Sequence, residues 1–163
     1  MRALYSIFLI LLCSQISCGD LGTDIHWSEW VLLKCGPVSI HLPPHSEYIG
    51  YYHPPETVSG VAYVEDATIF FSIYYAPDLR REFDKLYDAL GTREESTVSS
   101  DGYSGVLVRS HTTNYPETAY LFVPAIGDGR HQLLLTIWCT NVEQRYIIDH
   151  MISSIRVGES IVP

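Results

Sequence analysis

The chain has 163 residues, a length suited to one domain, and 47% of them are hydrophobic against 18% charged, which excludes wholesale disorder. Nineteen acidic residues against ten basic ones give a formal net charge of −9. With no basic run anywhere, that balance argues against a nucleic-acid surface or a patch for anionic membranes.

The first stretch reads as an address rather than as fold. Arg2 precedes an apolar run from Ala3 to Leu12, of signal-peptide length and too short to span a bilayer comfortably. It ends at Ser17-Cys18-Gly19, which resembles a bacterial lipobox, in which the cysteine becomes the acylated N-terminus; Gln15 departs from the apolar residue usual there. Residues 1–17 are then a lipoprotein-type signal peptide, Cys18 is the lipidation site, 18–26 form a tether, and 27–163 make the domain. Ordinary cleavage after Gly19 is the alternative, giving a periplasmic or secreted protein. Gly19 as the second mature residue resembles the outer-membrane sorting signal of enteric bacteria. Export leaves Cys35 and Cys139 as one even pair, open either to a disulfide or to two separate buried thiols. A bridge over that loop would contribute on the order of 4 to 5 kcal/mol in the chain-entropy picture.

Trp27 to Lys34 and Val38 to Leu42 read as two strands about the break at Gly36-Pro37. Pro43-Pro44 stops the second, and His45 to Ser59, with no apolar period and with Pro54-Pro55, reads as a long loop. Gly60 to Val64 and Thr68 to Tyr75 form a hairpin about Glu65-Asp66. Pro77-Asp78 opens a helix running to about Leu90, stopped by Gly91, with Leu79, Phe83, Leu86, Tyr87 and Leu90 on its apolar face. A polar turn follows, then strands at Ser104 to His111, Thr118 to Val123 and Gln132 to Cys139. In the last, Leu133, Leu135, Ile137 and Cys139 point one way and Leu134, Thr136 and Trp138 the other, so both faces expect cover. Thr140 to Ser153 reads as a helix capped by Asn141 with Gln144 completing a capping box. Ile147, Ile148, Met151, Ile152 and Ile155 form its apolar stripe, and a short closing strand follows at Ser154 to Val157.

Hairpin-length connections imply a mainly antiparallel sheet with two helices packed on it, an α+β domain. Val38 to Pro44, the hairpin and helix that follow, and the ending Tyr146 to Val157 resemble the PsbP-like domains, one of which is an extrinsic subunit of photosystem II. The resemblance covers roughly residues 38–157 and implies a PsbP-like sandwich whose known members mostly bind or support other proteins. It carries no catalytic motif.

Enzyme motifs come close and fail. Gly102-Tyr103-Ser104-Gly105 has Val106 where a nucleophile elbow needs glycine, and it leads into a strand. Gly127-Asp128-Gly129 lacks the last glycine of a dinucleotide fingerprint and precedes a strand as well. His41, His45 and His53, with Glu47, crowd one segment and are weak metal-ligand candidates without a recognised spacing. The same segment carries Tyr48, Tyr51 and Tyr52, the candidate partner-binding residues, because aromatic side chains with a polar tip offer contact area at little entropic cost. The sequence therefore points to an exported, lipid-anchored, non-catalytic binding or assembly module of the bacterial cell envelope. It needs no cofactor, and its partner is an envelope protein or complex. The alternatives are a small hydrolase whose acid and base meet only in space, and a metal or ligand carrier using the His41 to His53 segment.

Overall fold

The computed structural model describes residues 29–51, 56–100, 103–127 and 129–158. The signal peptide, the tether with Cys18, and Tyr52 and His53 lie outside the described residues.

The chain forms two antiparallel sheets laid face to face. The smaller contains β1 (Val31–Cys35), β2 (Val38–Leu42) and β10 (Arg156–Val157) in the order β1-β2-β10. The larger contains β3 (Glu47–Tyr51), β4 (Glu56–Val64), β5 (Ala67–Ala76), β6 (Arg93–Ser100), β7 (Tyr103–Ser110), β8 (Glu117–Ile126) and β9 (His131–Cys139). Its order is β3-β4-β5-β9-β8-β7-β6, two meanders joined where β5 pairs with β9. Helix α1 (Arg80–Ala89) sits on one face of this sheet, and α2 (Arg145–Ser153) buries one side in the main core on the other face, against β2 and β8, with Tyr146 and Asp149 exposed.

The expected α+β class is corrected by this arrangement. Among the described residues, ten strands in two sheets against helices of 10 and 9 residues make a mainly-β fold, not a sheet built to carry two helices. Two strands account for the difference. Residues 45–59, expected as loop, contain β3 and the start of β4, and the polar turn after α1 is the eight-residue β6. Both are edge strands. An edge strand is held by backbone bonds on one side and need not bury alternate side chains, so it lacks the apolar alternation that marks the inner strands.

The inner strands follow their pattern. Leu133, Leu135, Ile137 and Cys139 of β9 point into the main core with Ile69, Phe71 and Ile73 of β5, while Leu134 joins the second core under α1 and Trp138 packs against it. Ile147, Ile148, Met151 and Ile152 of α2, followed by Ile155, are all buried in the main core. Leu79 and Phe83 are buried beneath α1, with Leu86, Tyr87 and Leu90 packed partly against the same cluster. The Phe83 ring stacks on Phe122 of β8 at 4.9 Å.

Side chains remote in sequence hold both helix starts. The Gln132 amide oxygen accepts from Leu79 N at 2.7 Å and Arg80 N at 2.9 Å, satisfying two of the N–H groups that a helix start leaves bare. Before α2, Asn141 caps a 3-10 turn at Val142–Gln144, its oxygen accepting from Glu143 N at 2.9 Å. Gln144 does not close the expected capping box. Its amide donates instead to Glu65 at 2.7 Å, while the Asn141 amide donates to both Asp66 oxygens at 2.9 Å. These bonds pin the β4–β5 turn, where Glu65 takes a left-handed φ of 52° that a non-glycine residue adopts only at a cost.

Candidate functional site

Strand register sorts the large sheet's side chains into two faces. Ile49 of β3, Val61 and Tyr63 of β4, Phe70 and Tyr74 of β5, and Trp138 of β9 share the face that α1 occupies. Helix α1 is only ten residues long, about 15 Å, and covers the part built from β9, β8 and β7. Among the described residues the β3-β4-β5 half of this face has no such cover: Ile49 is 64% exposed, Tyr63 58% and Phe70 38%. Phe70 meets Tyr115 edge to face at 6.0 Å. Small hydroxyls lie between the large side chains, with Ser59 and Ser72 sharing a hydrogen bond of 2.9 Å.

Where α1 ends its cover, a groove of about 200 Å³ opens, lined by Tyr74, Leu79, Glu82, Leu86, Leu134, Thr136 and Trp138. Pockets for drug-sized ligands run to roughly 300–1,000 Å³, so this one suits a side chain or a small group. Trp138 is held in place by its indole N–H, which donates to the Tyr120 hydroxyl at 3.2 Å. Burial pushes the Tyr120 phenol above its ordinary pKa, with the Trp138 bond opposing, so the phenol stays neutral and available as acceptor.

The tyrosines and histidines singled out in the sequence are dispersed. Tyr48 and Tyr51 stand on strand β3, opposite Gly60 and Thr57 of β4, rather than on a loop. Three residues apart on a strand, they hold register positions of opposite parity. Tyr48 is 45% exposed, on the face away from Ile49. His41 lies on β2, its backbone N–H donating to Ser154 Oγ at 2.9 Å and its ring stacked near His150 of α2 at 6.4 Å. His45 is exposed with a left-handed φ of 60°. Among the described residues no three histidines, cysteines or carboxylates gather in a way that could hold a metal. Cys35 and Cys139 remain buried thiols with no disulfide joining them. Cys139 Sγ contacts the Asn141 carbonyl at 3.2 Å, and burial, foremost, pushes this thiol above its usual pKa.

One cluster escaped the sequence reading. Glu117, at the start of β8, has no exposed side-chain surface, and its Oε1 accepts from Arg109 of β7 at 2.6 Å. Arg109 also meets Asp149 of α2, and Arg145, one turn earlier on that helix, lies 3.8 Å from Glu117. Arg145 reaches Glu94 of β6 at 3.6 Å, so the cluster ties the β6-β7-β8 edge to α2. The signal was present in strand parity, because Arg109 falls in step with the buried Leu107 and Glu117 with Ala119 and Leu121. A charge in an inward position has to find an opposite charge. His111 Nδ1 stands 3.8 Å from Glu117 Oε2, which makes this the pairing of histidine and carboxylate that a hydrolase would need. The neighbouring hydroxyl, Ser110, is buried and donates to the Thr92 carbonyl at 3.0 Å; Glu117 Oε1 is held by Arg109, while its buried Oε2 has no hydrogen-bond partner among the described residues.

No protein-family model matches the chain, and no curated protein matches it.

Proposed function

We propose that this protein is an exported, lipid-anchored binding module of the bacterial cell envelope, without catalytic activity of its own, which engages an envelope protein through the open half of its large sheet. The observation that carries the reading is the exposure of Ile49, Tyr63 and Phe70 on the face that α1 leaves open, where Phe70 pairs with Trp138 at the groove. Apolar surface left open on one face marks interaction sites, and aromatic side chains dominate binding energy in them. Here Ser59 and Ser72 share one hydrogen bond, so covering the face leaves only one of the two hydroxyl donors in need of a partner. The address rests on residues 1–19: the apolar run and Ser17-Cys18-Gly19 would leave an acylated Cys18 with a short tether in front of β1. The resemblance to PsbP-like domains leans the same way, since those bind or support other proteins.

The test is a tagged pull-down from detergent-solubilised membranes, repeated with Tyr63→Ser/Phe70→Ser. Tyr63 is 58% and Phe70 38% exposed, and an unchanged circular dichroism spectrum checks that the double variant keeps the fold. A stoichiometric partner retained by the parent and lost by the variant supports the reading. A partner held equally by both, or none held by either, ends it. Lipidation is read separately from the intact mass: an unmodified chain beginning at Asp20 removes Cys18 from the account.

A further inference from the structure

The two edges of the large sheet are built differently. β6 carries Arg93, Glu94 and Glu95 in succession, and its side chains are almost all exposed, the usual guard against strand addition. β3 carries one charge, Glu47, at its first position, with neither lysine nor proline, and Ile49 at its centre is 64% exposed. Among the described residues nothing pairs with its outer side.

We propose that β3 is a self-association edge, pairing antiparallel with β3 of a second copy about a two-fold axis at Ile49, so that the two large sheets become one. The five-residue sequence is complementary to itself in this register. Ile49 faces Ile49, Tyr48 faces Gly50 and Gly50 faces Tyr48, so an aromatic residue stands beside each bare glycine backbone. That repeats the relation already present on the other side of β3, where Tyr48 is opposite Gly60 of β4. Gly60 is required there, since a Cβ on it would stand 2.8 Å from the Tyr48 Cβ and 2.2 Å from the Glu47 carbonyl. Charge is compatible as well. The two Glu47 residues fall at opposite ends of the junction, four residues apart along the strand, or roughly 14 Å. That exceeds the screening length of about 8 Å at physiological salt, so the repulsion that a net −9 chain brings to its own copy is not concentrated at the contact. Pairing also sets Ile49 of each copy beside the other on the open face, flanked by the two Glu47 positions at the ends of the junction.

The experiment uses the full chain purified in mild detergent. Sedimentation velocity, corrected for detergent, should give twice the chain mass, and Ile49→Lys should return it to one chain mass with an unchanged circular dichroism spectrum. Under mild oxidation Ile49→Cys should cross-link to a dimer, because directly opposed Cβ atoms lie about 5 Å apart. The parent and Glu47→Cys, whose position faces Tyr51 of the other copy, should not. A parent of single-chain mass overturns the proposal. So does a dimer that Ile49→Lys leaves intact, or one in which Glu47→Cys cross-links as readily as Ile49→Cys. A single-chain protein that captures another polypeptide through Ile49 also overturns it, while leaving the binding function standing.

Discussion

Replacing Arg109 with methionine isolates the energetics of the charge cluster between the sheets and α2. Glu117 is wholly buried and only 2.6 Å from the Arg109 guanidinium, which is itself nine-tenths buried, so neither charge has water to fall back on. Arg109→Met leaves the Glu117 carboxylate with Arg145 at 3.8 Å as its remaining cation at close range. Removing one partner of a buried pair costs about 3–5 kcal/mol, a large part of the 5–15 kcal/mol that holds a typical domain together. At about 3 °C per kcal/mol for a chain of this size, the melting temperature should fall by roughly 10 °C. Glu117→Gln, which keeps the shape and leaves Arg109 with Asp149, should cost about 1–2 kcal/mol. The double variant should be more stable than Arg109→Met alone, because the stranded charge has gone. Urea unfolding followed by tryptophan fluorescence and circular dichroism gives all three values. A loss below about 1 kcal/mol in Arg109→Met, or a double variant whose cost is the sum of the singles, would refute the argument that the pair is buried and coupled.

Three further outcomes follow from the packing. Gly60→Val should strip β3 from the sheet, since its Cβ would meet the Glu47 carbonyl at 2.2 Å and Phe71 Cζ at 2.6 Å; native-state hydrogen exchange should show protection lost in 47–51 while β9 keeps it, and unchanged protection at β3 would contradict the contact. His150 has its pKa lowered by burial first and by the neighbouring His41 second, so the unfolded chain binds the proton more readily. Stability should therefore be full above the ordinary histidine value of about 6.5 and decline as pH falls through it toward the lowered folded value, a slope that His150→Gln should flatten; a variant with the parent's slope places the titration elsewhere. Cys35 and Cys139, buried and not bridged to each other, should react with a thiol reagent only at the rate of unfolding, and a reducing agent should leave the melting temperature unchanged; a drop on reduction would mean that a disulfide forms.

The parts of the fold legible in the sequence are those in which burial is periodic. Strand β9 announced two covered faces because apolar residues fill both parities, and the stripes of α1 and α2 fell where the cores need them. β3 and β6 were illegible for a shared reason. Glu47-Tyr48-Ile49-Gly50-Tyr51 and Arg93 to Ser100 are edges, and what holds an edge is the neighbouring backbone, which leaves no mark on side-chain choice. Missing them turned a mainly-β fold into an expected α+β one. The open face was half visible: aromatic residues near 48–52 suggested a surface, but Tyr48 and Tyr51 take opposite parities, and the exposed Ile49, Tyr63 and Phe70 stand on three different strands. Only the strand register puts these three residues on one face. The Arg109, Glu117 and Asp149 cluster was hidden by distance, spanning 40 residues from Arg109 to Asp149, although the parity of its two strand members was readable.

The pairing of β10 with β2 has a consequence for how the chain can acquire its shape. Arg156 and Val157 pair with Ser39 and Val38, so the small sheet that begins with β1 and β2 is completed only by residues that follow α2. The stripe from Ile147 to Ile155 that fills the space between the layers arrives just ahead of them. A nascent or threading chain released from its N-terminal end thus meets its own small sheet without the side chains that close it. It cannot lock until residue 157 is free. Such late closure keeps the leading part soft until residue 157 is available, and a truncation before Thr140 would leave it in that condition permanently.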